Sequence, residues 1–229
     1  MQIGFGVDQS LRQEFAVLND PAINAYIDEV GRRIAAQSER QDVQYTFTVL
    51  DDGIVNALAA PGGFIYITTG LLCAAGSEAE VAAVLAHEVG HVVGRHSVRR
   101  LQTAMGVGMA AELVLGDQGT LQAIVEIATG VVLAKNSREN EFEADEFGLK
   151  YSAAAGYDAS QMLTFFETLL AMHGSAPSGG IAGWFSTHPP TEDRINQGRQ
   201  LLPLYIPSSG QGEVGRATFQ QTTSSLACQ

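Results

Sequence analysis

The chain has 229 residues, of which 45% are hydrophobic, and it carries a formal net charge of −12 at pH 7 with a pI of about 4.7. This length allows a substantial core, and the composition is that of a globular protein, not of a disordered or collagen-like one. Such a negative surface repels phosphate groups, so we expect no nucleic-acid partner.

The first third of the chain is predicted to form two helices and then three strands, over residues 8–19, 21–38, 44–50, 56–60 and 64–68. Asp20 before Pro21 is a typical start for the second helix. Apolar and polar residues alternate in the first strand, which predicts that only one of its faces is buried.

Helices are predicted for most of the remainder, over residues 77–101, 103–115, 120–134, 139–155, 160–173 and 191–202. Ser77, with Glu80 three residues later, marks the start of the first. The second and third form an apolar hairpin, for which we expect core packing; covering the cleft or touching a membrane peripherally are alternatives. Charged residues interrupt this hairpin, so we predict no transmembrane segment. We expect one domain over 1–202 and a loosely held tail over 203–229.

The two cysteines, Cys73 and Cys228, lie far apart and form no C-x-x-C pair, so we expect them to be unpaired and Cys73 to be a buried thiol. The chain begins without a basic segment followed by an apolar one. We therefore expect no signal peptide within it, and earlier removal of such a segment and a cytoplasmic location both stay open.

An H-E-x-x-H motif lies inside a predicted helix, at His87, Glu88 and His91. Four residues advance a helix by about 400°, so both imidazoles project from nearly the same side and can reach one Zn²⁺. Glu88 stands beside them, where it can take a proton from a metal-activated water. The chain has only five histidines, so the motif is expected by chance on the order of one per cent of the time.

A catalytic zinc needs a third protein ligand, and a third histidine is one route to it. In H-E-x-x-H-x-x-G-x-x-H proteases a glycine bends the chain towards that histidine. Gly94 occupies the glycine position, but Ser97 stands at the histidine position and His96 falls one residue short. If the helix continues through Arg95, His96 points away from His87, so we expect a surface or capping role for it.

A carboxylate from the acidic segment 137–145 is the second route. Glu141 and Asp145 share one helix face, whereas Glu139 and Glu143 point away from it and are expected to be solvated. One carboxylate of the pair Glu141 and Asp145 would bind the metal. The other would accept a hydrogen bond from a ligand imidazole.

Three separated blocks resemble the HtpX-like and type I CAAX prenyl protease-like zinc metallopeptidases, which are gluzincins. The blocks are Asn56-Ala57 with residues 61–71, the helix around His87–His91, and residues 137–145, and the resemblance spans about residues 20–200. It implies an α+β fold, a mainly helical zincin-like domain with a small β-sheet beside the H-E-x-x-H helix. The family's E-x-x-x-D motif implies Glu141 as the third ligand of one Zn²⁺ per chain and Asp145 as the residue that orients a ligand imidazole.

The chain lacks the membrane spans of HtpX and the prenyl proteases. It is more similar to the soluble periplasmic branch of β-barrel assembly-enhancing proteases, although the helical repeats often found there are missing. This resemblance implies a periplasmic or cell-envelope location and polypeptide substrates in extended conformation.

A sheet edge beside the active-site helix can bind an extended substrate through main-chain hydrogen bonds. We assign this role to the predicted strand of Phe64, Ile65, Tyr66, Ile67 and Thr68, with a plain interior strand as the alternative. His188 lies in a segment that resembles the family's T-H-P block. We expect it either to donate to the tetrahedral oxyanion or to ligate zinc in a closed resting state, with a structural role as the alternative.

The sequence thus favours a zinc-dependent endopeptidase that hydrolyses unfolded or misassembled envelope proteins, with Glu88 as general base. The alternative is a zinc-stabilised chaperone or assembly factor that binds client proteins and rarely cuts them. A purely structural zinc site is disfavoured, because Glu88 would then have no role and a fourth ligand would be expected.

Overall fold

The computed structural model describes residues 2–112, 118–175, 182–188, 192–206 and 212–228. Most of them are helical, in α1 (Gln2–Glu14), α2 (Pro21–Ala35), α3 (Thr69–Ala74), α4 (Glu78–Val93), α5 (His96–Glu112), α6 (Gln118–Leu133), α7 (Arg138–Ala154), α8 (Gln161–Ser175), α9 (Ala182–Thr187), α10 (Glu192–Tyr205) and α11 (Arg216–Thr222). The strands are β1 (Thr46–Leu50), β2 (Ala57–Ala60) and β3 (Phe64–Thr68). The predicted mainly helical α+β fold with a small sheet is confirmed.

The sheet has the strand order β1-β3-β2. The central strand β3 runs parallel to β1 and antiparallel to β2. The prediction of a free edge at Phe64, Ile65, Tyr66, Ile67 and Thr68 is therefore wrong, because the main chain of β3 pairs on both sides. The edge beside α4 belongs to β2.

Helices cover both faces of the sheet. Ile65 and Ile67 of β3 point into the larger core, which α2 and α4 share. Tyr66 points into a second core with α1 and α6, where its neighbours include Val7, Leu11, Ile124 and Ala128. The prediction that β1 is buried on one face is therefore wrong, because α1 covers the other face. The first helix also lies earlier than predicted, at Gln2–Glu14.

Helix α4 begins where the sequence predicts, with Ser77 as its N-cap. The Ser77 hydroxyl accepts a hydrogen bond from the amide of Glu80 (3.3 Å), whose carboxylate accepts one from the amide of Gly76 (2.7 Å). The helix does not continue to residue 101, however. It ends at Val93, the backbone of Arg95 adopts a φ of 54°, and α5 starts in a new direction at His96.

The predicted apolar hairpin corresponds to α5 and α6, which pack against each other. Ile124 and Ala128 of α6 are fully buried, which supports core packing for this half of the hairpin. Residues 113–117 and the side chains of 106–118 lie outside the described residues. In the described ranges no helix combines the length and apolarity needed to cross a bilayer.

The C-terminal segment differs from the prediction of a loosely held tail. Cys228 forms a disulfide with Cys73, although we predicted both to be unpaired. Phe219 of α11 is buried, and the carbonyl of Val214 accepts a hydrogen bond from the amide of Ala79 at the start of α4 (3.1 Å). Residues 212–228 are thus part of the folded body, while the domain boundary at residue 202 stays a prediction.

The disulfide should stabilise the fold strongly, because it joins cysteines 155 residues apart. In urea, we expect the free energy of unfolding of the double variant Cys73→Ser/Cys228→Ser to be about 2–4 kcal/mol below that of the parent protein. A reducing agent should lower the free energy of unfolding of the parent protein to that of the variant, and it should leave the value for the variant unchanged. Equal unfolding midpoints for the parent protein and the variant without a reducing agent would contradict the pairing of the two cysteines.

Candidate metal centre

The centre is built where α4 and α7 pack closely against each other. Gly90 of α4 faces α7, and a Cβ added there would lie 2.9 Å from the Cβ of Phe147 and 3.1 Å from the carbonyl oxygen of Ala144. Any larger residue would force the helices apart. The short distance between the helices brings Glu141 on α7 within reach of the histidines on α4.

Four buried side chains, those of His87, His91, Glu141 and His188, direct one donor atom each to a common point. The Nε2 of His91 lies 3.0 Å from the Nε2 of His87 and 3.3 Å from Oε1 of Glu141. The Nδ1 of His188 lies 3.3 Å from the Nε2 of His87 and 3.1 Å from Oε1 of Glu141.

These separations fit a tetrahedral zinc ion. Bonds of about 2.0–2.2 Å in tetrahedral geometry place ligand atoms about 3.3–3.6 Å apart, and the observed separations of 3.0–3.3 Å lie at or slightly below that range. Two imidazoles and a carboxylate are also a common ligand set of catalytic zinc. The fourth donor atom, Nδ1 of His188, faces the other three.

Glu88 lies beside the cluster with a fully buried side chain. Neither of its carboxylate oxygens makes a hydrogen bond to another described residue, and the nearest cation-forming group is the Nε2 of His188, 3.4 Å from Oε1. Burial raises the pKa of this carboxyl group. A buried carboxylate with free acceptor atoms and a raised pKa is well suited to hold a proton transiently.

Asp145 and Arg194 support the ligands from behind. The Nδ1 of His87 lies 2.9 Å from Oδ1 of Asp145, although the angle of this contact does not meet hydrogen-bond geometry. Arg194 of α10 donates to both oxygens of Asp145 (2.7 and 2.6 Å) and pairs with Oε2 of Glu141 at 2.8 Å. Burial alone would raise the pKa of Glu141, but His188 and Arg194 hold that pKa well below its usual range.

The structure thus brings together all six residues for which the sequence predicts a place at the metal or beside it: His87, Glu88, His91, Glu141, Asp145 and His188. No role was assigned to Arg194 from the sequence. The only pattern that pointed to this residue was the resemblance to a T-H-P block followed by a helix that contains an arginine. Trp184 was missed as well; its ring centroid lies 4.7 Å from that of His188.

An H-E-x-x-H helix with a glutamate from a second helix defines a zinc metallopeptidase of the gluzincin type. Residues 21–201 match the model of peptidase family M48, and the chain belongs to this family. Its members are zinc-dependent, and the buried donor set is suited to one such ion.

Relatives with assigned names are similar over most of the chain. A Vibrio cholerae protein provisionally named as a β-barrel assembly-enhancing protease is 35% identical over 86% of the chain, and the Escherichia coli K12 β-barrel assembly-enhancing protease is 28% identical over 91%. The mitochondrial metalloendopeptidase OMA1 of Arabidopsis thaliana is 34% identical over 82%. The chain spans 43%, 46% and 38% of these proteins, respectively, so it corresponds to less than half of each.

Replacing Glu141 by glutamine should reduce the zinc content of the purified protein. The amide keeps the shape of the side chain but loses the negative charge that binds the ion and pairs with Arg194. Zinc per chain, measured by plasma mass spectrometry after dialysis against a weak chelator, should fall clearly below the parent value. Glu139→Gln, an exposed position on the same helix, is the matched control. Equal zinc in both variants would exclude Glu141 as a ligand.

Proposed function

We propose that this domain is a zinc-dependent endopeptidase that cuts extended segments of unfolded or misassembled envelope proteins. The observation that carries the proposal is the buried donor set of His87, His91 and Glu141, with the carboxylate of Glu88 beside it accepting no hydrogen bond from a described residue. A structural zinc site would have no use for a buried carboxylate that accepts no hydrogen bond.

Each residue has a distinct role in the proposed hydrolysis. His87, His91 and Glu141 would hold the ion, whose chemistry is to polarise the scissile carbonyl and acidify the attacking water. Glu88 takes the proton of that water and returns it to the leaving amine. Asp145 keeps the ring of His87 oriented.

His188 is proposed to close the site in a resting state. Its Nδ1 faces the other three donor atoms, and its Nε2 lies 3.3 Å from the carbonyl oxygen of Ala57. With Nδ1 directed at the ion position, the ring fills the space that water or a carbonyl must enter. The sequence left two roles open for His188. This arrangement favours His188 as a zinc ligand over His188 as a donor to the oxyanion.

We also propose that the extended substrate pairs with β2. Within the described ranges β2 pairs with β3 alone, and its outer carbonyl groups accept from side chains instead: Ala57 from His188 at 3.3 Å and Ala59 from Ser97 at 3.0 Å. A cavity of about 290 Å³ lies along this edge and is lined by Ala59 and the ligand His91. An extended chain seated there would pass directly over the metal position.

An envelope location is proposed from two independent observations. The disulfide between Cys73 and Cys228 is of a kind that persists in oxidising compartments such as the periplasm. Two of the similar proteins bear names that refer to β-barrel assembly. Unfolded or misassembled envelope proteins are therefore the proposed substrates.

Replacing Glu88 by glutamine should abolish cleavage of casein while the bound zinc is retained. The amide cannot accept the proton of the attacking water, and no metal ligand is changed. Cleavage is measured by release of labelled peptides and zinc by mass spectrometry. Glu80→Gln, near the start of the same helix and away from the metal, is the control. Full activity in Glu88→Gln would contradict the general-base role.

The same variant separates the enzyme from the chaperone alternative. An endopeptidase requires that Glu88→Gln fails to restore function in cells that lack the native gene. A zinc-stabilised chaperone requires the opposite result, because the fold and the ion are preserved. Restored function without measurable cleavage would therefore replace the endopeptidase proposal.

Replacing His188 by alanine should raise the cleavage rate if this residue closes the site, since the other three ligands stay in place. Loss of an oxyanion donor would instead lower the rate about 10²–10³-fold. Initial rates on casein, with Ser186→Ala as the neighbouring control, distinguish the two roles. Unchanged kinetics and unchanged zinc affinity would remove both.

A further inference from the structure

His96 lies directly behind the metal ligand His91. It is the first residue of α5, and its side chain is fully buried. Its Nδ1 is 2.6 Å from the Nδ1 of His91, and its Nε2 is 3.0 Å from Oε2 of Glu143 on α7. Three side chains thus form a continuous chain of hydrogen bonds from the metal position to the partly exposed Glu143.

The backbone between α4 and α5 is shaped to seat this ring. Arg95 adopts a left-handed conformation with a φ of 54°, which is unfavourable for a residue with a side chain. A Cβ at Gly94 would lie only 2.4 Å from the Nε2 of His96, so a larger residue at this position would displace the ring. The turn reverses the direction expected for a continuous helix and points His96 back at His91.

The hydrogen bonds allow one arrangement of protons. As a zinc ligand His91 must offer the lone pair of Nε2, which faces the other donors, so its proton lies on Nδ1. That N–H donates to the Nδ1 of His96, which must therefore carry its own proton on Nε2. This second N–H donates to the carboxylate of Glu143, and every group in the chain is then satisfied.

We propose that His96 and Glu143 are positioning residues that fix the tautomer and ring orientation of His91. They would do for this ligand what Asp145 does for His87. The inference rests on His91 being a zinc ligand, as proposed above. It assigns a role to Glu143, whose side chain the helix register alone would leave to solvent.

A buried histidine without such a role could be replaced by an apolar side chain of similar size at little cost to the metal site. The test therefore compares His96→Leu, which keeps bulk and removes the acceptor, with His96→Asn, whose Oδ1 can still accept from His91. We expect the zinc dissociation constant, measured by competition with a chromophoric chelator, to rise about 10–100-fold for His96→Leu. His96→Asn should recover most of this loss.

Glu143→Gln should weaken zinc binding in the same direction, because the second N–H loses its charged acceptor. Glu146→Gln on the same helix and Val98→Ala on α5 are the matched controls, since neither residue belongs to the chain of hydrogen bonds. Urea unfolding of each variant checks that a change in zinc affinity is not a change in folding.

A spectroscopic measurement on the zinc-loaded parent protein gives an independent answer if His96→Leu fails to fold. Nitrogen-15 spectra should show a protonated Nδ1 on His91 and a scalar coupling across the hydrogen bond to the Nδ1 of His96. An unprotonated Nδ1 on His91, or unchanged zinc affinity in a folded His96→Leu, would overturn the inference. If the parent itself binds no zinc, the proposed function fails instead.

Discussion

The close packing of α7 against α4 is the constraint on which the metal centre depends. The two helices approach so closely at Gly90 that an added methyl group would meet the backbone and Cβ atoms of α7. His87 and His91 belong to one helix and Glu141 and Asp145 to the other, so their separation is set by this contact. Because backbone cannot yield as a flexible side chain does, the fold itself fixes the spacing between the two helices that carry these residues.

Burial of charge is the second constraint, and it explains why a divalent ion belongs here. Glu88, Glu141 and Asp145 are buried carboxylates, and Arg194 is the buried cation among them. With neutral imidazoles, two negative formal charges remain, which a divalent cation neutralises. Charges removed from water without such balance cost several kcal/mol each. Zinc binding and folding are therefore coupled, because the ion relieves the repulsion between carboxylates that the fold brings together.

Features that depend on local periodicity could be predicted from the sequence. The spacing of His87 and His91 and the shared face of Glu141 and Asp145 follow from helix geometry alone. Predictions that needed distant contacts failed: the place of β3 in the middle of the sheet, and the bond between Cys73 and Cys228. The role of His96 was missed for a different reason, since its direction depends on the left-handed backbone of Arg95, which the glycine at position 94 did not by itself predict.

The four donors are not equivalent in how they are held. Three of them lie on α4 and α7, which share the core, whereas His188 lies at the end of α9, a helix of six residues. Its amide donates to the carbonyl of Trp184 within that same short helix (2.7 Å), and its ring contacts the indole of the same residue. The immediate support of the His188 ring thus comes from α9, and the neighbouring Thr187 carbonyl accepts a hydrogen bond from the amide of Asn136 just before α7 (3.0 Å). Under the proposed function, removal of the His188 donor would leave the three ligands on α4 and α7 in place.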